Sequence, residues 1–141
     1  MAKSRRERVW ERAGGSCEYC RMPQAYDVRP FQLDHIRSRK HAGSTTLANL
    51  ALACLPCNTY KGPNVAGYDP QTNTLERVFN PRRDVWNEHF SWDGPIVVGQ
   101  TPIGRASIAV LRINLAERVE QRRLLVQAGL FPGAGDAEEA R

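Results

Sequence analysis

The sequence lacks any long apolar run, and no segment approaches the roughly 20 consecutive apolar residues that a membrane-spanning helix needs. It also lacks an apolar signal core near residue 1, where basic side chains dominate instead. We therefore expect a cytosolic protein with no membrane partner. Internal repeats and low-complexity linkers are absent too, which excludes repeat arrays and favours a single domain for the 141 residues.

Cysteine is scarce, and all four cysteines lie in two C-x-x-C pairs between Cys17 and Cys57. In a cytosolic protein, paired cysteines hold a metal ion more often than they form disulfides. Four thiolates are soft ligands that leave no open coordination position, which is the arrangement of a structural zinc site. We therefore predict one Zn²⁺ held by Cys17, Cys20, Cys54 and Cys57. The alternatives are free buried thiols or a redox pair.

Acidic side chains are too few to balance the basic ones: 20 Lys and Arg stand against 15 Asp and Glu, a net charge of +5. The excess lies in residues 1–62, which carry eleven basic and five acidic side chains, whereas the remainder carries nine and ten. A basic segment suits a polyanionic partner such as nucleic acid. A solvated basic face explains the charge equally well when charge is considered alone.

Between the two cysteine pairs, the pattern predicts a strand, a loop, a second strand and a helix. Residues 28–36 partly alternate between apolar and polar side chains, as a strand does. Residues 37–44 are polar and basic, which is typical of an exposed loop, and residues 50–53 form a second short apolar run. A short helix then begins at the second cysteine pair and ends at Gly62-Pro63. The sequence thus predicts a ββα unit between the two halves of the zinc site.

Capping and turn signals predict the remaining elements. Ser4 and Glu7 form a capping box that opens a helix, and Gly14-Gly15 ends it. The later signals are a turn at residues 69–73 with a strand at 75–79, a helix from Asn80-Pro81, a hairpin at Asp93-Gly94, a helix from Thr101-Pro102, and a helix from a capping box at residues 114–117 to Gly129. The expected fold class is α+β.

Asp34 and His35 are adjacent at the end of the first predicted strand of the ββα unit. Neighbouring residues of a strand point to opposite faces, so both can serve one site only at a strand end or an irregularity. A single histidine in a loop is more often structural or exposed than catalytic. The pair therefore indicates a catalytic site only in combination with the residues around it.

The surrounding pattern is Asp34-His35, then Asn49, then Cys54-x-x-Cys57-Asn58-x-x-Lys61. It closely resembles the HNH endonuclease family, in the form with a four-cysteine zinc site and an asparagine at the last motif position. The resemblance covers residues 17–61, roughly a third of the chain. It implies a ββα-metal (His-Me finger) fold stapled by the zinc site, and a metal-dependent endonuclease that hydrolyses DNA phosphodiester bonds.

The resemblance also implies a role for each motif residue. His35 would be the general base that takes a proton from the attacking water, and Asn49 would hydrogen-bond across the loop and hold the His35 ring in position. Asp34 and Asn58 would bind one catalytic Mg²⁺ or Mn²⁺ that contacts the scissile phosphate. The expected products carry a 5′-phosphate and a 3′-hydroxyl.

Two of these asparagines have simpler alternatives. Asn58 stands where the family name has a histidine, and its amide oxygen favours hard cations over Zn²⁺ or Ni²⁺. Asn58 can also be a cap at the start of the helix, and Asn49 can be only a turn residue.

The predicted partner is DNA, expected to be double-stranded. Arg37, Arg39 and Lys61 are candidates for phosphate contacts, with ordinary surface charge as the alternative for each. A noncatalytic zinc module that binds nucleic acid also explains the cysteines and the basic segment, but it leaves the other motif residues unexplained. A ribonuclease or toxin with the same site differs only in its substrate. One ββα site engages one phosphate at a time, so a monomer is expected to nick.

The expected organisation is a single HNH nuclease domain over residues 1–131, with a ββα core at about 17–62, an appended α+β region at 63–131 and a flexible tail at 132–141. A later series also resembles the tail of a bacterial group of such proteins. This series consists of Asn80-Pro81-Arg82-Arg83, Trp86, His89-Phe90, Gly104-Arg105 and Asn114. No mechanism follows from that similarity.

Overall fold

The computed structural model of the protein describes residues 2–132, so residues 133–141 of the predicted tail lie outside the described range. The helices within this range are α1 (Arg5–Ala13), α2 (Leu55–Lys61), α3 (Trp86–His89), α4 (Pro102–Leu111) and α5 (Ala116–Gln127). The strands are β1 (Gln32–His35), β2 (Leu50–Ala53), β3 (Ala66–Tyr68), β4 (Leu75–Arg77), β5 (Phe90–Asp93) and β6 (Ile96–Gly99). No helix in residues 2–132 has the length and apolar character needed to cross a membrane.

The six strands form three separate antiparallel pairs, β1 with β2, β3 with β4 and β5 with β6. Helices and small antiparallel sheets occur together, so the α+β prediction is confirmed. In the first pair, Gln32 lies opposite Ala53 and His35 lies opposite Leu50. His35 is therefore the last residue of β1, at the strand end that a shared Asp34–His35 site needs.

Helix α1 forms as its capping signals predict. The Ser4 hydroxyl accepts a hydrogen bond from the Glu7 backbone N–H at 3.1 Å, and the Glu7 carboxylate accepts one from the Ser4 N–H at 3.4 Å. Gly14 ends the helix in the left-handed conformation, with φ of 64°. Arg12 then donates to the carbonyls of Leu47 and Leu50 at 2.8 and 2.5 Å, which ties α1 to the start of β2.

The ββα unit is also confirmed, with a first strand that is shorter than predicted. Strand β2 is wholly buried, and α2 follows it directly and ends at Gly62. Residues 28–30 do not pair because Val28 is fully exposed and Pro30 has no backbone N–H to donate. The Gln24 side chain instead holds this segment, since it accepts from the Phe31 N–H at 2.7 Å and donates to the Arg29 carbonyl at 2.8 Å.

The appended region packs its hairpins against α4. Asp69, which has no exposed surface, accepts two parallel hydrogen bonds from the Arg105 guanidinium, at 3.0 and 2.8 Å. These bonds, with one from the Gln71 backbone N–H, lower the pKa of Asp69 to about 2. A Cβ at Gly104 of α4 would collide with the carbonyl oxygen of His89 at the end of α3, so glycine permits the close approach of these two helices.

The short helix predicted from Asn80-Pro81 is present but begins later than predicted, because residues 80–84 form a turn and α3 begins only at Trp86. The Asn80 side-chain oxygen accepts from the Arg82 N–H at 2.9 Å, and its carbonyl accepts from the Asp84 N–H at 2.9 Å. Asp84 in turn accepts from the Asn80 N–H at 2.8 Å. These bonds close a single turn at residues 80–84, and the helix itself begins two residues later.

The capping box predicted at residues 114–117 does not form, although the helix predicted to follow it is present. Helix α5 begins at Ala116 with no side-chain cap. The Asn114 amide instead donates to the Val97 carbonyl at 2.7 Å, and its oxygen accepts from the Val97 N–H at 3.0 Å. Arg122 also donates to the Asn114 oxygen, at 3.0 Å. Asn114 therefore ties α5 to β6, and this tertiary role replaces the local one.

Candidate functional site

The four cysteines come together in one buried cluster. Their sulfur atoms all lie within 4.8 Å of one another, and each residue is at most 2% exposed. Each C-x-x-C pair is a knuckle in which the first sulfur accepts a backbone N–H from the second cysteine, Cys20 to Cys17 and Cys57 to Cys54, both at 3.5 Å. Four buried sulfur ligands at this spacing fit Zn²⁺ in a closed structural site.

The four thiols interact strongly with one another: hydrogen bonds from Cys17 and Cys20 raise the pKa of Cys54, and burial raises the pKa of Cys57. Hydrogen bonds from Cys17, Cys54 and Cys57 lower the pKa of the Cys20 thiol well below its ordinary value. No disulfide joins the four cysteines, and the sulfur atoms of Cys20 and Cys54 lie 3.6 Å apart. The convergence of four sulfur atoms favours metal binding over a redox pair, which needs only two.

Sequence reasoning missed the side chain that closes the cluster on its outer side, Arg118 of α5. It is 6% exposed, and its guanidinium donates to the sulfur of Cys57 at 3.0 Å and to that of Cys54 at 3.7 Å. It also donates to the Leu111 carbonyl at 2.7 Å, which fixes its orientation. Burial by itself lowers the pKa of Arg118, but the negative charge of Cys57 and its neighbours outweighs burial and raises it. A zinc tetrathiolate carries a net charge of −2, so Arg118 is a suitable counter-charge.

We expect Arg118→Gln to weaken zinc binding by roughly 10- to 100-fold, the usual cost of losing a residue that hydrogen-bonds to a metal ligand. The measurement is the rate of zinc transfer from the folded protein to a chromophoric chelator. Arg123→Gln is the matched control, because Arg123 lies on the same helix, is 44% exposed and pairs with Glu120. Equal transfer rates for both variants and the native protein would remove Arg118 from this role.

Asp34, a predicted ligand of the catalytic metal, is buried and already has partners. It is 3% exposed, and its Oδ2 accepts from the Tyr19 hydroxyl at 2.6 Å. The Lys61 ammonium lies 3.3 Å from Oδ2 and 3.4 Å from Oδ1. Burial raises the pKa of Asp34, and the positive charge of Lys61 opposes that change. Burial also raises the pKa of Tyr19 well above its ordinary value, so its hydroxyl keeps the proton that it donates.

Lys61 does not lie where a phosphate contact requires it. It is 1% exposed, and besides Asp34 it donates to the His35 carbonyl at 2.9 Å. A carboxylate buried this deeply needs a cationic partner, and removing one member of such a pair typically costs about 3–5 kcal/mol. The physical reason for the buried lysine is therefore the charge of Asp34. Its bond to the His35 carbonyl also ties α2 to the end of β1.

His35, the predicted general base, is partly exposed at the end of β1. Its Nε2 lies 3.0 Å from the hydroxyl of Thr45, a loop residue that sequence reasoning did not identify. Within residues 2–132 no hydrogen bond involves Nδ1 of this ring. The ring is thus held at one nitrogen and open at the other, which is the arrangement that proton transfer from a bound water requires.

Asn49 makes the predicted hydrogen bonds across the loop, but to backbone atoms and not to the His35 ring. Its amide donates to the Arg37 carbonyl at 2.9 Å and to the Ser44 carbonyl at 2.7 Å. Its oxygen accepts from the Arg37 N–H at 2.9 Å. Asn49 therefore fixes the loop between β1 and β2, and Thr45 holds the ring.

Asn58 and the two loop arginines have fewer fixed contacts. Asn58 is half-buried, and its side chain forms no hydrogen bond within the described part of the chain. The cap of α2 is Cys54, so the alternative role of Asn58 as the helix cap does not apply. Arg37 and Arg39 are exposed, and the Arg37 guanidinium has one weak contact, to the Ala42 carbonyl at 3.3 Å. Both arginines are positioned as candidates for phosphate contacts.

These elements define an α+β protein in which a buried four-cysteine centre supports a ββα unit. The model of the HNH endonuclease family matches residues 17–64, which contain both cysteine pairs and the motif residues between and after them. The family resemblance expected from the sequence is thereby confirmed for about a third of the chain. Because this family is usually nucleolytic, the match supports a nuclease or nucleic-acid-binding function. A search of curated proteins and a search of solved structures found no match.

Proposed function

We propose that the protein is a metal-dependent endonuclease that hydrolyses phosphodiester bonds in DNA. The observation that carries the proposal is the setting of His35, which ends β1 within the HNH-matched segment with Nε2 held by Thr45 and its carbonyl held by Lys61. A ring restrained in this way keeps a constant orientation toward solvent. Orientation of this kind is what a general base supplies beyond its proton affinity.

In the proposed reaction, His35 takes the proton of the attacking water through Nδ1. Thr45 holds the ring at Nε2, and Asn49 keeps the loop that carries Thr45 in place by bonding the Arg37 and Ser44 backbone. Thr45 and Asn49 are thus positioning residues, and His35 is the residue that moves a proton. Exposed Arg37 and Arg39 would bind phosphates of the substrate strand.

Asp34 and Asn58 are suited by their chemistry to hold the catalytic cation. Carboxylate and amide oxygens are the ligands that Mg²⁺ and Mn²⁺ prefer. Oδ2 of Asp34 accepts the short Tyr19 bond, whereas Oδ1 accepts the longer bond from Lys61 at 3.4 Å and so keeps a lone pair for a metal. A cation bound there would stabilise the charge that develops on the leaving 3′ oxygen. Tyr19 and Lys61 would keep the carboxylate in a fixed orientation.

A noncatalytic nucleic-acid-binding module is the second candidate, and the burial of Asp34 favours it. In that case the Asp34–Lys61 pair serves only to join β1 to α2, and the basic residues provide binding without hydrolysis. The zinc centre has the same structural role in both cases.

The proposal is tested by incubating the native protein with supercoiled plasmid in Mg²⁺, in Mn²⁺ and in EDTA. We expect nicked circles with either cation and none in EDTA, and nicks that DNA ligase reseals without prior phosphorylation, because the ends carry a 5′-phosphate and a 3′-hydroxyl. The zinc content is measured after the EDTA incubation, so that loss of structural zinc is not mistaken for loss of the catalytic ion. Binding without cleavage of DNA or RNA in either cation would favour the noncatalytic module, and cleavage of RNA alone would favour a ribonuclease.

A further inference from the structure

Two adjacent arginines in the turn at residues 80–84 have opposite environments. The side chain of Arg82 is 16% exposed and forms an ion pair with Glu18, in the first cysteine knuckle. Arg83 is exposed, and its side chain forms no hydrogen bond or ion pair within residues 2–132. The first arginine therefore joins the appended region to the zinc centre, and the second has its charge available for a partner.

The turn holds Arg83 in a fixed position. Its backbone N–H donates to the Asn80 carbonyl at 3.0 Å, and the next residue, Asp84, bonds the Asn80 N–H. Asp84 is itself held by two parallel bonds from Arg77, at 2.6 and 2.7 Å. A backbone fixed in this way lowers the entropy that Arg83 would lose on binding a ligand.

Arg83 lies at the edge of a cavity of about 260 Å³. Its lining includes the apolar residues Ile36 and Phe79 and the basic residues Arg37, Lys61, Arg77 and Arg83. Asp34 and Asp84 already neutralise Lys61 and Arg77. The uncompensated charge at the cavity therefore comes from Arg37 and Arg83, and no acidic residue lines the cavity.

The cavity is lined by residues that are joined to the backbone of the proposed general base. Ile36 and Arg37 directly follow His35 in the chain, and Lys61 donates to the His35 carbonyl at 2.9 Å. Asn49 bonds both the N–H and the carbonyl of Arg37, so this side of the cavity is fixed as firmly as the Arg83 side. A substrate strand whose phosphate reaches His35 would place a neighbouring nucleotide against this cavity.

We propose that the cavity is a nucleotide subsite that binds the DNA residue next to the scissile phosphate. Arg83 and Arg37 bind its phosphate, for which the planar guanidinium is a suitable partner, and the apolar lining takes up its sugar and the edge of its base. The proposal rests on the proposed nuclease function in placing this nucleotide beside the cleavage point. The proposal also assigns different roles to the two arginines of the Asn80-Pro81-Arg82-Arg83 run. Arg82 is structural, and Arg83 contacts DNA.

The test compares Arg83→Gln with Arg82→Gln in the full chain, by titrating a labelled DNA duplex at several salt concentrations without divalent cations. We expect Arg83→Gln to weaken binding about tenfold, to lower the slope of log K against log salt by about 1, and to leave the melting temperature unchanged. Arg82→Gln should lower the melting temperature and leave the slope unchanged. Arg83→Lys, which keeps the charge, should restore the slope.

An unchanged slope in Arg83→Gln would overturn the subsite. Arg5→Gln provides a second control if Arg82→Gln does not fold, because Arg5 is exposed on α1 and does not line the cavity. A slope reduced equally by Arg5→Gln and Arg83→Gln would also overturn it. Binding is measured under conditions without cleavage, so the phosphate contact and the nuclease activity are tested separately. A native protein that binds DNA through Arg83 but cuts no DNA would contradict the nuclease proposal and leave the phosphate contact intact. DNA cleavage by the native protein, combined with a salt slope that Arg83→Gln leaves unchanged, would contradict the subsite alone.

Discussion

Replacing Cys57 by serine should remove zinc from the protein and destabilise its fold by on the order of 5 kcal/mol, because zinc binding to a four-cysteine site contributes directly to folding free energy. Cys57 is fully buried in α2, which also carries Asn58 and Lys61. A serine hydroxyl is a poor ligand for Zn²⁺ and keeps its proton at neutral pH. The loss should therefore release α2 from its position against β1, and with it the partner of Asp34.

Two measurements check this expectation on the native protein and on Cys57→Ser. Elemental analysis should find about one zinc per native chain and a fraction of that in the variant. Thermal unfolding followed by circular dichroism should show the loss of stability. Thr59→Ser is the control, since Thr59 is exposed on the same helix. A metal-free Cys57→Ser protein that melts at the native temperature would show that the cysteines are only buried thiols.

The zinc centre and the ββα unit could be predicted because their signals are local. The two C-x-x-C pairs identify the four metal ligands directly. The apolar run of β2 defines the second strand, and the helix is defined by Cys54 at its start and a glycine at its end. The hairpin at Asp93-Gly94 and the capping box at Ser4 are local signals as well, and both formed.

The side chains that complete the site could not be predicted, because their partners are distant in sequence. Arg118 contacts Cys57 across 61 residues, and Tyr19 contacts Asp34 across 15. No periodicity or spacing rule connects such pairs. The burial of Lys61 has the same origin, since a lysine beside a motif is indistinguishable from a surface lysine until Asp34 is known to be buried.

The incorrect capping prediction at Asn114 illustrates how a tertiary contact overrides a local one. Asn80 and Asn114 both have the side chain that a helix cap requires. The Asn80 side chain still accepts the Arg82 N–H and closes a local turn, whereas the Asn114 amide hydrogen-bonds both backbone groups of Val97 on β6. A side-chain amide that satisfies two backbone groups of another element contributes more than a cap on an already packed helix. Only the folded arrangement reveals that choice.

His35→Ala is expected to lower the rate of plasmid nicking by about 10²- to 10⁴-fold, the range that general-base catalysis supplies. The imidazole would be lost while β1 remains paired with β2, because the Lys61 bond to residue 35 uses the backbone carbonyl. Zinc content and DNA binding should therefore be unchanged. Thr45→Ala should lower the rate less, since it frees the ring without removing it.

His41→Ala is the matched control for this experiment, because His41 is an exposed histidine of the same loop and lies outside the proposed site. The substitution is chemically identical, so it reports any general effect of removing an imidazole from this region. We expect its nicking rate to equal that of the native protein.

The central claim is that the ββα unit is a hydrolytic site and that His35 acts in its chemistry. Its most direct test is the rate of conversion of supercoiled to nicked plasmid in Mn²⁺, for native protein, His35→Ala and His41→Ala purified identically. We expect nicking by the native protein and by His41→Ala, and loss of nicking in His35→Ala with its zinc content and DNA binding retained. Equal rates for all three proteins, or DNA binding without nicking by any of them, would contradict it.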